Sequence, residues 1–126
     1  MYLLHGKNIT CGYDTVDILS ECTVGVKKGE IASIVGPNGA GKSTAMKSIF
    51  GLLKIRLGKI FLDNEDITNL LPQERVLKGM GYVPQTNNIF PTLSVQENLE
   101  MGAFIQHEDF SDILDYVYDL FPVLKE

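Results

Sequence analysis

Between Glu21 and Lys27 apolar and polar residues alternate, with Cys22, Val24 and Val26 on one side and Thr23, Gly25 and Lys27 on the other. That is the period of a half-buried strand. Lys28-Gly29 reads as a turn, and Ile31-Ala32-Ser33-Ile34-Val35 is a short, nearly continuous apolar run of the kind found in strands buried on both faces. The run stops at Gly36-Pro37-Asn38-Gly39, which predicts a sharp loop. From Lys42 to Leu53 the apolar residues Ala45, Met46, Ile49, Phe50 and Leu53 form the stripe of an amphipathic helix. The order is strand, glycine loop, helix.

Beyond Gly58 the pattern predicts a strand at Lys59 to Leu62, a polar turn at Asp63-Asn64-Glu65-Asp66, a helix after Pro72 and another short strand at Gly81-Tyr82-Val83. Ser94-Val95-Gln96-Glu97 has the form of a capping box, in which the serine and the glutamate satisfy each other's backbone amides, and predicts a helix to about Ala103. A final helix from about Glu108 places Phe110, Ile113, Leu114, Val117, Leu120 and Phe121 on one face, with Pro122 ending it. Near Gln85 the elements change from strand-rich to helical.

With 126 residues the chain is one domain in size, and 44% apolar and 21% charged residues exclude a disordered or collagen-like sequence. The net charge of −5, with no cluster of Lys and Arg, gives no electrostatic footprint for a nucleic-acid backbone. Cys11 and Cys22 lack the spacing of a zinc or redox motif and read as reduced thiols. The N-terminus has no signal-peptide pattern and no apolar run is long enough to span a bilayer. The expected compartment is the cytoplasm.

Gly36-Pro37-Asn38-Gly39-Ala40-Gly41-Lys42-Ser43 matches G-x-x-x-x-G-K-[ST], followed by Thr44. Small residues let successive backbone N–H groups turn inward around phosphates, which also meet the positive end of the next helix. In this pattern Lys42 would reach the terminal phosphates as a point charge, and the Ser43 hydroxyl would ligate Mg²⁺. The base-reading Asn-Lys-x-Asp of a GTPase is absent. The arginine-rich lid of a small-molecule kinase has no counterpart in a chain whose only arginines are Arg56 and Arg75. Asp63, at the end of Ile60-Phe61-Leu62, superficially fits a Mg²⁺-holding aspartate, but it also opens the polar turn.

Gly36 to Thr44, written GPNGAGKST, resembles the ATP-binding subunits of ABC transporters, and the resemblance runs from end to end. It implies an α/β fold: a P-loop NTPase core with an N-terminal antiparallel β subdomain (1–85, β subdomain and P-loop core) and the truncated start of the helical subdomain (86–126). Tyr13 matches the family's aromatic that stacks on adenine. Gly36, Asn38, Gly39, Ala40, Gly41, Lys42, Ser43 and Thr44 match the phosphate cradle. Gly81-Tyr82-Val83-Pro84-Gln85 resembles the loop whose glutamine contacts Mg²⁺ and the attacking water and senses the membrane subunits, so Gln85 joins Lys42 as an expected catalytic residue and Ser43 as an expected metal ligand. ATP and Mg²⁺ are the implied ligands.

Phe90 to Leu99 resembles the stretch that follows that loop in the family, and Glu97 to Ala103, Asp66-Ile67-Thr68 and Tyr116 to Pro122 look most like importers of branched-chain amino acids. The resemblance implies transmembrane permease subunits as partners, touching the segment from Gln85 to Ser94, a second ATP-binding subunit, and attachment to the inner face of the cell membrane through the permease.

The family's Leu-Ser-Gly-Gly-Gln signature, its apolar strand ending in Asp and Glu, and its switch histidine do not occur here. The chain therefore resembles the N-terminal half of such a domain and supplies half of each shared ATP site at most. His5 and His107 are poor substitutes for the missing base. Weak or no turnover is expected, together with self-association through exposed sheet edges. The alternatives are a binding module with a relic P-loop and a small P-loop kinase.

Overall fold

A computed structural model of the chain describes residues 1–105 and 108–126, in two compact units, Met1–Gly81 and Tyr82–Glu126. His107 lies outside the described residues.

The first unit is built on a four-stranded antiparallel sheet in the order β2-β1-β3-β4, from β1 (Leu4–Tyr13), β2 (Val16–Val26), β3 (Leu57–Leu62) and β4 (Glu65–Asp66). Helix α1 (Lys42–Phe50) shares a core with it, in which Ala45 and Ile49 meet Ile9, Cys11, Leu19, Ile60 and Ile67. The half-buried Cys22, Val24 and Val26 and the exposed Thr23 and Gly25 follow the predicted alternation. Helix α1 ends where Gly51 takes φ 90° and Leu52 donates its amide to the Lys47 carbonyl at 2.9 Å, a glycine-terminated helix end. Burial pushes the Cys11 thiol pKa up, as desolvation disfavours the thiolate, so it packs as a small apolar side chain.

The β3–β4 connection is the first half of the polar turn predicted at 63–66, and Glu65–Asp66, its second half, pair with β3 as a short strand instead. Asp63 and Asn64 both take positive φ, 47° and 66°, the conformation that two-residue hairpin turns require. Behind it, Asp66 Oδ1 accepts from the Thr68 hydroxyl at 2.6 Å and the Thr68 amide at 3.0 Å, and Lys59 Nζ donates to Oδ2 at 3.0 Å. These bonds, the Thr68 hydroxyl first, lower the Asp66 pKa from 3.8 to about 2. A depressed carboxylate pKa contributes stability that is complete above the unfolded value and lost as pH falls through the folded one. Acid titration of unfolding between pH 4 and pH 2 is expected to show this loss, and Asp66→Asn to remove that part of the pH dependence.

Two predicted strands are not strands. Ile31–Val35 and Gly81–Val83 are irregular, with Ile31 97%, Val35 87% and Val83 84% exposed. An apolar run becomes a buried strand only when neighbours complete its hydrogen-bond ladder on both sides. Among the described residues no strand pairs with either segment.

A short helix, α2 (Pro72–Leu77), follows in the first unit. In the second unit, α3 (Val95–Met101) begins with the predicted capping box: Ser94 Oγ accepts from the Glu97 amide at 3.1 Å, and Glu97 Oε2 accepts from the Ser94 amide at 2.7 Å. Ser94→Ala is expected to cost about 1 kcal/mol of local helix stability, measurable as faster amide exchange across α3. Helix α4 (Ser111–Leu120) starts three residues later than predicted, because the Asp109 side chain accepts the Ser111 amide at 2.9 Å in a turn that delays entry. Pro122 follows it as predicted, opening a 3₁₀ turn. Of the predicted apolar face, Leu114 and Val117 are half-buried while Ile113, Leu120 and Phe121 are exposed. No helix among the described residues is long and apolar enough to cross a membrane.

Candidate nucleotide site

The glycine-rich loop enters α1 through Gly41, which takes φ 93° at the N-cap position. A side chain there is doubly excluded: the conformation is left-handed, and a Cβ would lie 2.7 Å from Leu19 Cδ2 on β2. Gly39 is left-handed as well, at φ 85°. With no side-chain cap at the start of α1 and no acidic residue in its first turn, the helix's leading amides and partial positive charge are left for an outside anion.

Lys42, at the first position of the helix, turns back over the loop. Its Nζ donates to the Gly36 carbonyl and, at 2.9 Å, to the Pro37 carbonyl. The ammonium thus sits against the backbone at the start of its own loop. Ser43 follows with an exposed side chain, while Thr44 is buried against the core side of α1. Asn38 and Ala40 are exposed on the loop, and the Ala40 amide donates to the Pro37 carbonyl at 3.2 Å.

Tyr13 ends β1 opposite Val16 and keeps 47% of its surface exposed. Ile18 and Leu19 on β2 flank Gly41. Ile18 lies two residue steps along β2 from Val16, about 7 Å at the usual rise, so the tyrosine turn and the start of α1 both meet the same end of β2. Gln85 belongs to the second unit, exposed in the irregular segment that follows Val83. Asp63 is in the β3–β4 turn, its amide donating to the Leu3 carbonyl at 2.7 Å, which makes it part of an antiparallel hairpin. His5 stacks on Tyr2, ring centroids 4.7 Å apart.

Residues 19–121 match the family model described as ABC transporter. The chain belongs to the ABC transporter ATP-binding family. It is 41% identical over 124 residues to a probable branched-chain amino acid transport ATP-binding protein, LivF, of Archaeoglobus fulgidus, covering 98% of this chain and 52% of that protein. It is 35% identical to the high-affinity branched-chain amino acid transport ATP-binding protein BraG of Pseudomonas aeruginosa, covering 98% and 54%. A lipopolysaccharide export system ATP-binding protein, LptB, of Haemophilus influenzae is 39% identical over 99 residues. Among solved structures, an ATP-binding subunit of an ABC transporter superposes with a TM-score of 0.76 at 31% identity, covering 98% of this chain and 50% of that one. The cassette MJ1267 gives 0.70 at 34%, covering 92% and 46%. The chain thus spans about half the length of the relatives it matches, and its antiparallel sheet and helices correspond to part of an ABC cassette.

Two residues that organise these units carry no sequence motif. Arg75, on α2, is 2% exposed and donates to the carbonyls of Ile49 at 2.6 Å, Leu70 at 3.0 Å, Thr68 at 3.0 Å and Ser48 at 3.4 Å, which closes the C-terminal end of α1. Burial lowers its pKa, the cost of withdrawing the cation from water. Asn98, on α3, accepts from the Phe90 amide at 2.7 Å and donates to the Phe90, Leu93 and Ser94 carbonyls, fixing the turn before the helix. An asparagine inside a predicted helix is the one signal that could have marked it, since such side chains compete for backbone partners.

Proposed function

We propose that this chain is the nucleotide-binding portion of an ABC transporter ATPase that couples ATP hydrolysis to solute import, with branched-chain amino acids as the solute class. The single observation that carries the ATP reading is the uncapped entry to α1 through left-handed Gly41, with the Lys42 ammonium turned back onto the loop's own carbonyls. A polyphosphate fits there: it accepts the leading amides of α1 and replaces the two carbonyls as partner of Lys42. Gly36, Asn38, Gly39, Ala40, Gly41 and Thr44 shape the cradle, and Tyr13 offers its exposed ring to adenine. Ser43 and Gln85 are the residues that would hold Mg²⁺, which supplies charge neutralisation at the β- and γ-phosphates when bound. In the hydrolysis of the β,γ-anhydride by water, Lys42 and the loop amides stabilise charge on the phosphoryl oxygens, and Gln85 orients the water.

Residues 1–85 form the β subdomain and P-loop core in this reading, and 86–126 the start of the helical subdomain. Permease subunits would contact the segment from Gln85 to Ser94, a second ATP-binding subunit would face the P-loop, and the assembly would lie on the inner face of the cell membrane. LivF and BraG, both branched-chain amino acid transport ATP-binding proteins, support the solute class. The irregular Ile31–Val35 segment favours one rival, a binding module whose P-loop is a relic. Titration with a fluorescent ATP analogue decides between them: the ATP reading predicts Mg²⁺-dependent saturation, with phosphate release by the 126-residue chain near background, and the relic predicts no saturation.

A further inference from the structure

The β1–β2 turn that carries Tyr13 is held by a residue from another part of the chain. Tyr13 pairs with Val16 across Asp14-Thr15, with Asp14 at φ 50°. The strands draw so close beside it that a Cβ on Gly12 would collide with the Val16 carbonyl. Hairpin ends of this kind open easily unless a contact from outside restrains them. Arg56 provides one. It stands just before β3, and its amide donates to the Thr10 carbonyl at 2.8 Å, which anchors its backbone on β1. Its guanidinium then reaches both sides of the turn: Nη1 donates to Asp17 Oδ1 on β2, and Nη2 to the Asp14 carbonyl. One planar fork spans a carboxylate and a carbonyl, a geometry that a lysine ammonium does not reproduce.

The ion pair is partly exposed, with 35% of the Arg56 side chain and 47% of the Asp17 side chain open to solvent, so its contribution to overall stability is small. Its effect is on where the turn sits. An aromatic platform assists binding only to the extent that its position is set beforehand, because ordering a mobile turn on binding subtracts from affinity. We infer that Arg56 is a positioning residue for the nucleotide base: through Asp14 and Asp17 it holds Tyr13 at the end of β2 that the start of α1 also meets. This rests on Tyr13 being the stacking partner of adenine.

The test compares dissociation constants of the full chain for Mg-ATP and for Mg-triphosphate, the inorganic anion that lacks a base. Arg56→Lys and Asp17→Asn are each expected to weaken ATP about threefold to tenfold, a fraction of the value of one stacked base, and to leave triphosphate unchanged. Neither is expected to weaken ATP further in a Tyr13→Ala background, because the effect passes through that ring. Equal losses for both ligands, or a loss that persists without Tyr13, would make Arg56 a strut for folding and overturn the inference. If Tyr13→Ala leaves the ratio of the two affinities unchanged, the stacking role itself fails and takes the inference with it. Absence of saturable ATP binding by the unsubstituted chain overturns both. Asp17→Asn keeps Arg56 and its main-chain bond, so the comparison stands even where substitution of Arg56 impairs folding.

Discussion

Arg75→Met is expected to lower the stability of the Met1–Gly81 unit by about 3 kcal/mol. The four carbonyls that the Arg75 side chain meets belong to the end of α1 and to the chain just before α2, and all the described hydrogen bonds of its guanidinium go to them. The Ser48 and Ile49 carbonyls lie in the last turn of α1, where a cation is favoured by the helix dipole; the Ser48 carbonyl also accepts from the Gly51 amide at 3.1 Å, so the Ile49 carbonyl depends more on Arg75. Methionine fills similar volume, relieves the desolvation of a buried charge and gives no donor back. The unmade bonds outweigh the relief: the buried Ile49 carbonyl is left without a described partner, at a cost on the order of 1–3 kcal/mol, and the half-buried Leu70 and Thr68 carbonyls lose theirs as well. Arg75→Lys keeps a charge but loses the fork and should fall between the two. Denaturant midpoints by far-UV circular dichroism measure this; the chain has no tryptophan to report by fluorescence. A loss of 3 kcal/mol is a large share of the 5–15 kcal/mol typical of a whole domain.

Lys42→Ala is expected to weaken Mg-ATP binding about tenfold to a hundredfold while leaving the fold intact. Charge-assisted hydrogen bonds of this type contribute roughly 1.5–3 kcal/mol. The lysine's partners in the structure are two carbonyls of its own exposed loop, so its removal leaves no buried group unsatisfied. Binding and stability therefore separate here, as they do not for Arg75. Isothermal titration alongside thermal unfolding checks this; a variant that binds as well as the parent would remove Lys42 from the site.

What could be read in the sequence was what local chemistry decides. The Asp63-Asn64 turn, the Ser94–Glu97 capping box and the loop from Gly36 to Ser43 each depend on a few adjacent residues, and each has the form the residues predict. Ile31–Val35 was misread because a doubly buried strand is defined by its neighbours: its β-branched residues permit the conformation, and only a paired ladder stabilises it. The apolar face of α4 is partly open for a related cause, since periodicity says which residues share a side and not what covers it. Arg75 was invisible because nothing adjacent to a buried arginine announces the carbonyls that will surround it; they come from Ser48, Ile49, Thr68 and Leu70.

The central claim is that the start of α1 is a phosphate cradle. Its most direct test is a nitrogen-resolved amide titration of the chain with Mg-ATP. The account predicts saturable shifts concentrated at the amides of Gly39, Ala40, Gly41, Lys42, Ser43 and Thr44, reproduced by Mg-triphosphate except around Tyr13. Shifts that never saturate, or that saturate while those six amides stay unmoved, would contradict it.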